Sequence, residues 1–354
     1  MKNTKYILSI LLILFVFSAC KKEYVSTKFP LASEQNINVE KLEEAYTAAE
    51  NINGIKSLLV SRNGVLVSEQ YFTEMDVTDL YDVRSVTKSV VSALIGIAIN
   101  EGFIENTNQT LSDFISPLGY TLEGDKSLIT IEDLLTMSSG IEWEELLNVS
   151  QYNDWVTAED QIEYVISKPL IYNPGEYFTY NSGGAHLLSV ILTEATNMST
   201  HDFALEYFFE PLGMDIEDFG WGEFQQGYFN GGADLTLKPR DMIKIGQLYL
   251  NDGNYGGTQI VPSSWVEDSK SIQISTNNSI NFGPQYGYLW WINHDLTNDL
   301  YFANGYGGQF IVNVPDLNLV IVATSEFQGL GNTAGQQWYN VLSLIINDVL
   351  ECVE

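Results

Sequence analysis

A serine and a lysine three positions apart, in Ser85-Val86-Thr87-Lys88, carry the clearest chemical potential in this chain. On a helix, side chains at i and i+3 share a face and come within hydrogen-bonding reach. A serine hydroxyl is a poor nucleophile until a base takes its proton. A lysine can be that base once burial has lowered its pKa. A helix N-terminus acts in the same sense: its positive end disfavours a second cation and favours a developing alkoxide. The pattern recurs once, at Ser18–Lys21, inside the N-terminal segment described below. Two fixed positions in four are a weak signal alone. The setting strengthens it, because Lys88 falls in the apolar run 85–100, where a lysine is unexpected unless paired or used.

Two further segments could complete a site. In Pro174-Gly175-Glu176-Tyr177-Phe178-Thr179-Tyr180-Asn181-Ser182-Gly183-Gly184, a turn delivers a tyrosine just before a small-residue helix start. A phenol beside a lysine can relay a proton between nucleophile and leaving group. Taken alone, Tyr180 reads first as one of 20 tyrosines packing a core. In Asn304-Gly305-Tyr306-Gly307-Gly308-Gln309, glycines precede a strand pattern, 310–314. Glycine at a strand edge admits a ligand or another backbone, and a strand N–H there can serve an oxyanion. Dinucleotide or phosphate binding fails on spacing and on the lack of a following helix.

These segments need a scaffold, and the periodicity predicts one. Residues 39–51 read as an amphipathic helix. Runs 55–62 and 65–72 are strand-like, and Asn63-Gly64 between them is a strong hairpin signal. Thr130 is the expected N-cap of a helix over Leu134-Leu135, with Asp133 as the capping-box acid. Helices are expected over 158–167, 183–196, 202–209 and 240–251, and over 332–350 at the end. Strands are expected over 286–292, 300–304, 309–314 and 319–324. Strands at both ends with helices between predict an α+β fold: one antiparallel sheet flanked by helices and built from both termini. A mostly helical insertion occupies about 103–239.

The N-terminus is a separate unit. Lys2 and Lys5 precede an apolar run, 6–17, followed by Ser18, Ala19 and Cys20. That is the layout of a secretory signal, and the run is short for a membrane span. Cys20 after Phe17-Ser18-Ala19 is similar to a bacterial lipobox. The expected organisation is a signal over 1–19, a lipid-bearing Cys20, a tether over 20–38 and one domain over 39–354. The chain is then exported and anchored by lipid to a bacterial membrane. A plain secreted protein cut nearby is the competing reading. Cys352 is the only other cysteine, so disulfides are not expected to hold the fold. The formal charge of −30 opposes nucleic-acid binding. His186, His201 and His294 are scattered, with no metal-ligand spacing, so neither metal nor cofactor is expected. His186, Arg84 and Asp241 read as structural groups. Oligomeric state is not legible.

Taken in order, the three segments resemble the serine β-lactamase and penicillin-binding-protein-like superfamily. Its signature is Ser-x-x-Lys, a Tyr- or Ser-x-Asn element, and Lys-Thr-Gly or a variant. The similarity is greatest to the class C-related branch, which holds 6-aminohexanoate-dimer hydrolases and esterases. Arg84–Ser89, Ile131–Gly140, Tyr180–Gly183, Leu237–Met242, Tyr286–Trp291 and Gly307–Gln309 carry it, from about residue 50 to the C-terminus. The resemblance implies a β-lactamase/DD-peptidase-like fold in which Ser85 forms the acyl-enzyme, Lys88 activates it and Tyr180 shuttles protons. It places the oxyanion between the N–H groups of Ser85 and Gln309, with Tyr306-Gly307-Gly308 standing for Lys-Thr-Gly.

Two departures bear on substrate. Ser182 occupies the place of the motif's asparagine, which is displaced to Asn181. Tyr306 replaces a cation, and a charge-assisted contact to a substrate carboxylate is among the stronger ones available. The expected activity is ester or amide hydrolysis of small acyl compounds through an acyl-serine. The alternatives are a D-amino-acid peptidase or β-lactamase acting on cell-wall compounds, and a non-catalytic ligand-binding lipoprotein. Tyr152, Asp154 and Trp155 are candidates for the acyl pocket.

Overall fold

The computed structural model describes residues 29–146, 149–277 and 283–354. The signal, Cys20 and most of the expected tether lie outside the described residues. The tether was expected to run to residue 38, and there the structure differs. Phe29 packs on Tyr46 with centroids 4.7 Å apart, Ala32 is fully buried, and Ile37 bridges to Val353. Residues 29–38 are therefore packed against the domain. Their apolar side chains are too sparse for periodicity to register, yet Phe29 packs on the first helix and Ile37 meets the C-terminus. Cys352 is a free, buried thiol in the same corner.

The scaffold is an eight-stranded antiparallel sheet. Its spatial order is Val65–Tyr71, Ile55–Arg62, Leu319–Ser325, Gln309–Val314, Leu300–Gly305, Trp291–Asn293, Gln285–Tyr286 and Ile274–Ser275. The Asn63-Gly64 hairpin forms as expected and pairs with the last strand, Val60 lying opposite Ser68 on one side and Ile321 on the other. Both termini thus build one sheet. Alternate residues of a strand serve opposite faces. Phe310 packs on Trp338 of helix Ala334–Leu344, whereas Ile311 faces Gly246 of helix Pro239–Leu250. Each fully buried Leu, Ile or Val here contributes about 1.5–3 kcal/mol relative to exposure.

The expected strand over 286–292 is instead a tight hairpin. Tyr286 pairs with Trp291, the Gly287 N–H donates to Trp290 O at 2.9 Å, and Leu289 takes φ 61° in the turn. Trp290 then packs on Tyr249 and Tyr301, and Trp291 on Tyr180 and Phe302. The connection between the two parts of the sheet is mostly helical. It also holds a small sheet in the order Tyr81–Asp82, Leu235–Leu237, Phe219–Trp221. Strands of two and three residues leave no periodic trace in a sequence. This one matters, since it ties the segment before Ser85 to the segment after Gly232. No helix among the described residues is long and apolar enough to cross a membrane.

Candidate active site

Ser85 sits in a 3-10 turn, Arg84–Val86, that feeds helix Thr87–Asn100. Arg84 takes φ 51°, a region that costs a non-glycine residue about 1–3 kcal/mol. The turn is held from several sides. The Arg84 N–H donates to Asp82 Oδ1 at 2.8 Å, the Val83 N–H to Leu235 O at 2.9 Å, and the Thr87 hydroxyl to Arg84 O at 2.6 Å. On the sheet side, a Cβ at Gly305 would lie 2.4 Å from Val83 O and 3.0 Å from Arg84 Cβ. Only glycine lets strand Leu300–Gly305 pass this close. Ser85 is half-buried.

Lys88 is 1% exposed, in a helix that buries every residue from Thr87 to Ala98. Its Nζ reaches three oxygens: Ser85 Oγ at 2.9 Å, Ser182 Oγ at 2.8 Å and Gly232 O at 2.6 Å. A Cβ at Gly232 would lie 2.6 Å from Ser182 O, so glycine is needed to bring that carbonyl in. Burial lowers the Lys88 pKa to about 8; the Arg84 charge pushes the same way, and Glu145 and Asp234 oppose it. The amine is therefore within reach of its neutral, basic form near neutral pH.

Tyr180 completes the cluster. Lys88 Nζ lies 4.9 Å from its ring centroid, and the ring stacks on Trp291 at 5.7 Å. Met137, at φ 56°, brackets it: the Thr179 N–H donates to Met137 O at 2.7 Å and the Asn181 N–H to its sulfur at 3.3 Å. Burial pushes the phenol well above the usual tyrosine range, the Glu145 charge adds to this, and the Ser85 hydroxyl facing it opposes. Tyr180 thus stays protonated, a donor and relay.

The displaced Asn181 is the N-cap of helix Ser182–Thr196, its side chain accepting from the Gly184 N–H at 2.8 Å. Ser182 takes the contact with Lys88. The other site assignments need correction. Tyr306, Gly307 and Gly308 are not part of the strand beside Ser85; they form the turn after it, with Gly307 and Gly308 at φ 82° and 105°. The segment passing the Ser85 turn is Ala303-Asn304-Gly305, which also lacks a cation. Gln309 lies opposite Gly305 in the ladder and is fully buried, its side chain joined to Ser325 N and O. It fastens strands together. Tyr306 is at the surface, its hydroxyl donating to Gly331 O at 3.2 Å.

Residues that sequence reading missed surround the cluster. Glu145 accepts from Ser182 Oγ at 2.6 Å, from the Ser182 N–H at 2.8 Å and from Trp143 Nε1 at 2.6 Å. Asp234 accepts from Arg84 at 3.1 Å, and Asp82 does so at 3.3 Å. Asp82 is a local cap, but no local spacing links Glu145 or Asp234 to Ser85. Of the acyl-pocket candidates, Tyr152 reaches the site, its hydroxyl accepting from Arg84 at 3.2 Å. Trp155 is buried beneath it, and Asp154 points to solvent. His186 is buried against Trp155 and Phe224, which lowers its pKa to about 4. Asp241 pairs with Lys244 at 2.8 Å. A cavity of about 630 Å³ lined by Asp125, Glu132, Asp133 and Asn173 lies elsewhere. It holds no activated nucleophile and does not compete.

The comparisons agree with this geometry. The beta-lactamase family model matches residues 39–344. A 6-aminohexanoate-dimer hydrolase of Paenarthrobacter ureafaciens is 23% identical over 337 residues, covering 89% of this chain and 81% of its own. Among solved structures, an octameric penicillin-binding protein homologue from Pyrococcus abyssi superposes with a TM-score of 0.68 at 21% identity, covering 88% of this chain and 78% of that one. A family VIII carboxylesterase does so at 0.61 and 14%, covering 85% and 97%. The chain belongs to the beta-lactamase family and is a serine hydrolase.

Proposed function

We propose that the protein cleaves ester or amide bonds of small acyl compounds through an acyl-Ser85 intermediate. The observation that carries this is the approach of the buried Lys88 amine to Ser85 Oγ, 2.9 Å, with the Tyr180 phenol beside both. Lys88 takes the Ser85 proton as Oγ attacks the carbonyl carbon. The Tyr180 hydroxyl passes a proton to the departing alcohol or amine. Water then attacks the acyl-serine, its proton returning through the same pair.

The oxyanion in this reading lies between the N–H groups of Ser85 and Tyr306, not Gln309. Tyr306 directly follows Gly305, which abuts the nucleophile turn. Neither N–H donates to an acceptor among the described residues. Gly305→Ala would push the strand away and withdraw one donor. Its expected cost is about 10²–10³ in kcat, at little cost in substrate binding. Wild-type kcat in that variant would remove Tyr306 from the site.

Substrate class follows from charge. The Arg84 guanidinium is bonded to Asp82, Asp234 and Tyr152 and covered by the Phe327 ring at 4.9 Å. Lys88 is spent on three oxygens. No uncommitted cation among the described residues of the cluster can meet a substrate carboxylate. The preferred substrate is therefore an uncharged ester or linear amide, a reading that the similarity to a family VIII carboxylesterase supports. Parallel assay of p-nitrophenyl esters, short linear amides and nitrocefin, with fluorophosphonate labelling, tests this. The expected order places esters and amides well above nitrocefin. Comparable nitrocefin turnover would favour a cell-wall substrate, and an inert, unlabelled folded protein would favour a ligand-binding role. Export and lipid attachment at Cys20, which would hold the enzyme at a bacterial membrane, belong to the same proposal and rest on the pattern of residues 1–20.

A further inference from the structure

The Ser182 hydroxyl has one proton and two close polar neighbours. Its Oγ lies 2.6 Å from Glu145 Oε1 and 2.8 Å from Lys88 Nζ. An ionised carboxylate accepts and does not donate. The Ser182 proton therefore points at Glu145, and only a lone pair of Oγ faces Lys88. Gly232 O, 2.6 Å from Nζ, is likewise an acceptor only. A neutral amine has two N–H bonds and one lone pair. The two acceptors take the N–H bonds, and the remaining vertex, the lone pair, falls on Ser85 Oγ. In that state Ser85 can give up its proton. Were the Ser182 proton free to turn, it would donate to the amine, fill the lone pair and leave Ser85 without a base.

Resting on the reading of Lys88 as the base, we infer that Glu145 is a positioning residue: through the Ser182 hydroxyl it directs the Lys88 lone pair onto Ser85. Glu145 is itself fixed, since its second oxygen accepts from the Ser182 N–H and from Trp143 Nε1. It also sits at the positive end of the fifteen-residue helix Ser182–Thr196. The charged and titratable groups facing Lys88 come from four elements. Arg84 lies on the nucleophile turn and Glu145 on the loop ahead of helix Val149–Val156. Asp234 precedes strand Leu235–Leu237, and Tyr180 precedes its helix. Of the two carboxylates, only Glu145 is bonded to a Lys88 partner.

The test uses kcat/KM for a p-nitrophenyl ester across pH in wild type, Glu145→Gln, Ser182→Ala and the double variant. In Glu145→Gln the amide oxygen takes the Ser182 and Trp143 N–H groups. The amide nitrogen must then donate to Ser182 Oγ, which turns the hydroxyl proton toward Lys88. The expected loss at the plateau is about 10²-fold. The acid limb moves to lower pH, because a charge that favours the ammonium is gone. Ser182→Ala is expected to lose about tenfold, and adding it to Glu145→Gln restores the rate to that level, since no hydroxyl remains to be reversed. A merely structural Glu145 gives no rescue; loss of its charge alone moves the limb but not the plateau. Additive losses in the double variant, an unmoved limb, or a Glu145→Gln plateau within twofold of wild type would overturn the inference. If Glu145→Gln does not fold, Ser182→Ala and Glu145→Asp carry the test: lowered plateaus in both support it, and wild-type plateaus in both overturn it. An inert, unlabelled wild type fails the hydrolase reading and this inference with it; an active wild type with additive losses fails this inference alone.

Discussion

Ser85→Ala is expected to lose fluorophosphonate labelling and to lower ester turnover on the order of 10⁴-fold or more, with an almost unchanged Tm. The reason is that one hydroxyl in this cluster combines exposure with a base. Ser85 is half-buried and 2.9 Å from the Lys88 amine. Ser182, equally close to that amine, is fully buried, and its proton is committed to Glu145. Alanine keeps the Cβ and disturbs neither the Asp82 cap on Arg84 nor the approach of Gly305. The Lys88 amine loses one of its three oxygen partners but keeps Ser182 Oγ and Gly232 O, so the change in stability should be about 1 kcal/mol. Equal labelling of the variant would place the nucleophile elsewhere.

Lys88→Ala and Lys88→Arg are expected to be nearly equal in their loss, about 10³-fold or more in kcat/KM. Arginine keeps the charge and most of the length, but a guanidinium does not release its proton at accessible pH and cannot act as base. The same argument sets the wild-type pH profile. Burial disfavours the ammonium and lowers the Lys88 pKa to about 8. The active form is the neutral amine, so kcat/KM should rise with pH, pass half-maximum near that value and level off above it. At pH 7 about a tenth of the enzyme then carries the base, against well under a thousandth for a lysine at its ordinary value. A stopped-buffer series between pH 5 and 10 measures this. A profile flat across that range, or a Lys88→Arg variant within tenfold of wild type, would dismiss Lys88 as the base.

Much of this candidate site was legible because it is local. Ser85 and Lys88 meet through helical spacing alone. Tyr180 was visible as the residue a turn delivers to a helix start. The Asn63-Gly64 hairpin and the reciprocal Thr130–Asp133 capping box formed as their residues require. Strand patterns at both ends foretold a sheet shared by the termini.

The rest depends on neighbours far away in the chain. Ser182 and Gly232, which hold Lys88, are 94 and 144 residues from it. Glu145 comes from an acidic stretch with no distinguishing spacing, and only the fold sets it behind Ser182. The glycine run around Tyr306 read as a strand edge open to a ligand. The strand instead ends at Gly305, the one position where a side chain would collide with the nucleophile turn. Leu289 breaks an expected strand because packing repays its left-handed backbone. The residue types and short spacings thus determined which chemistry the chain can perform. Tertiary structure alone decided which oxygens surround the amine, and therefore where its lone pair points, because that direction is set by acceptors converging from separate elements.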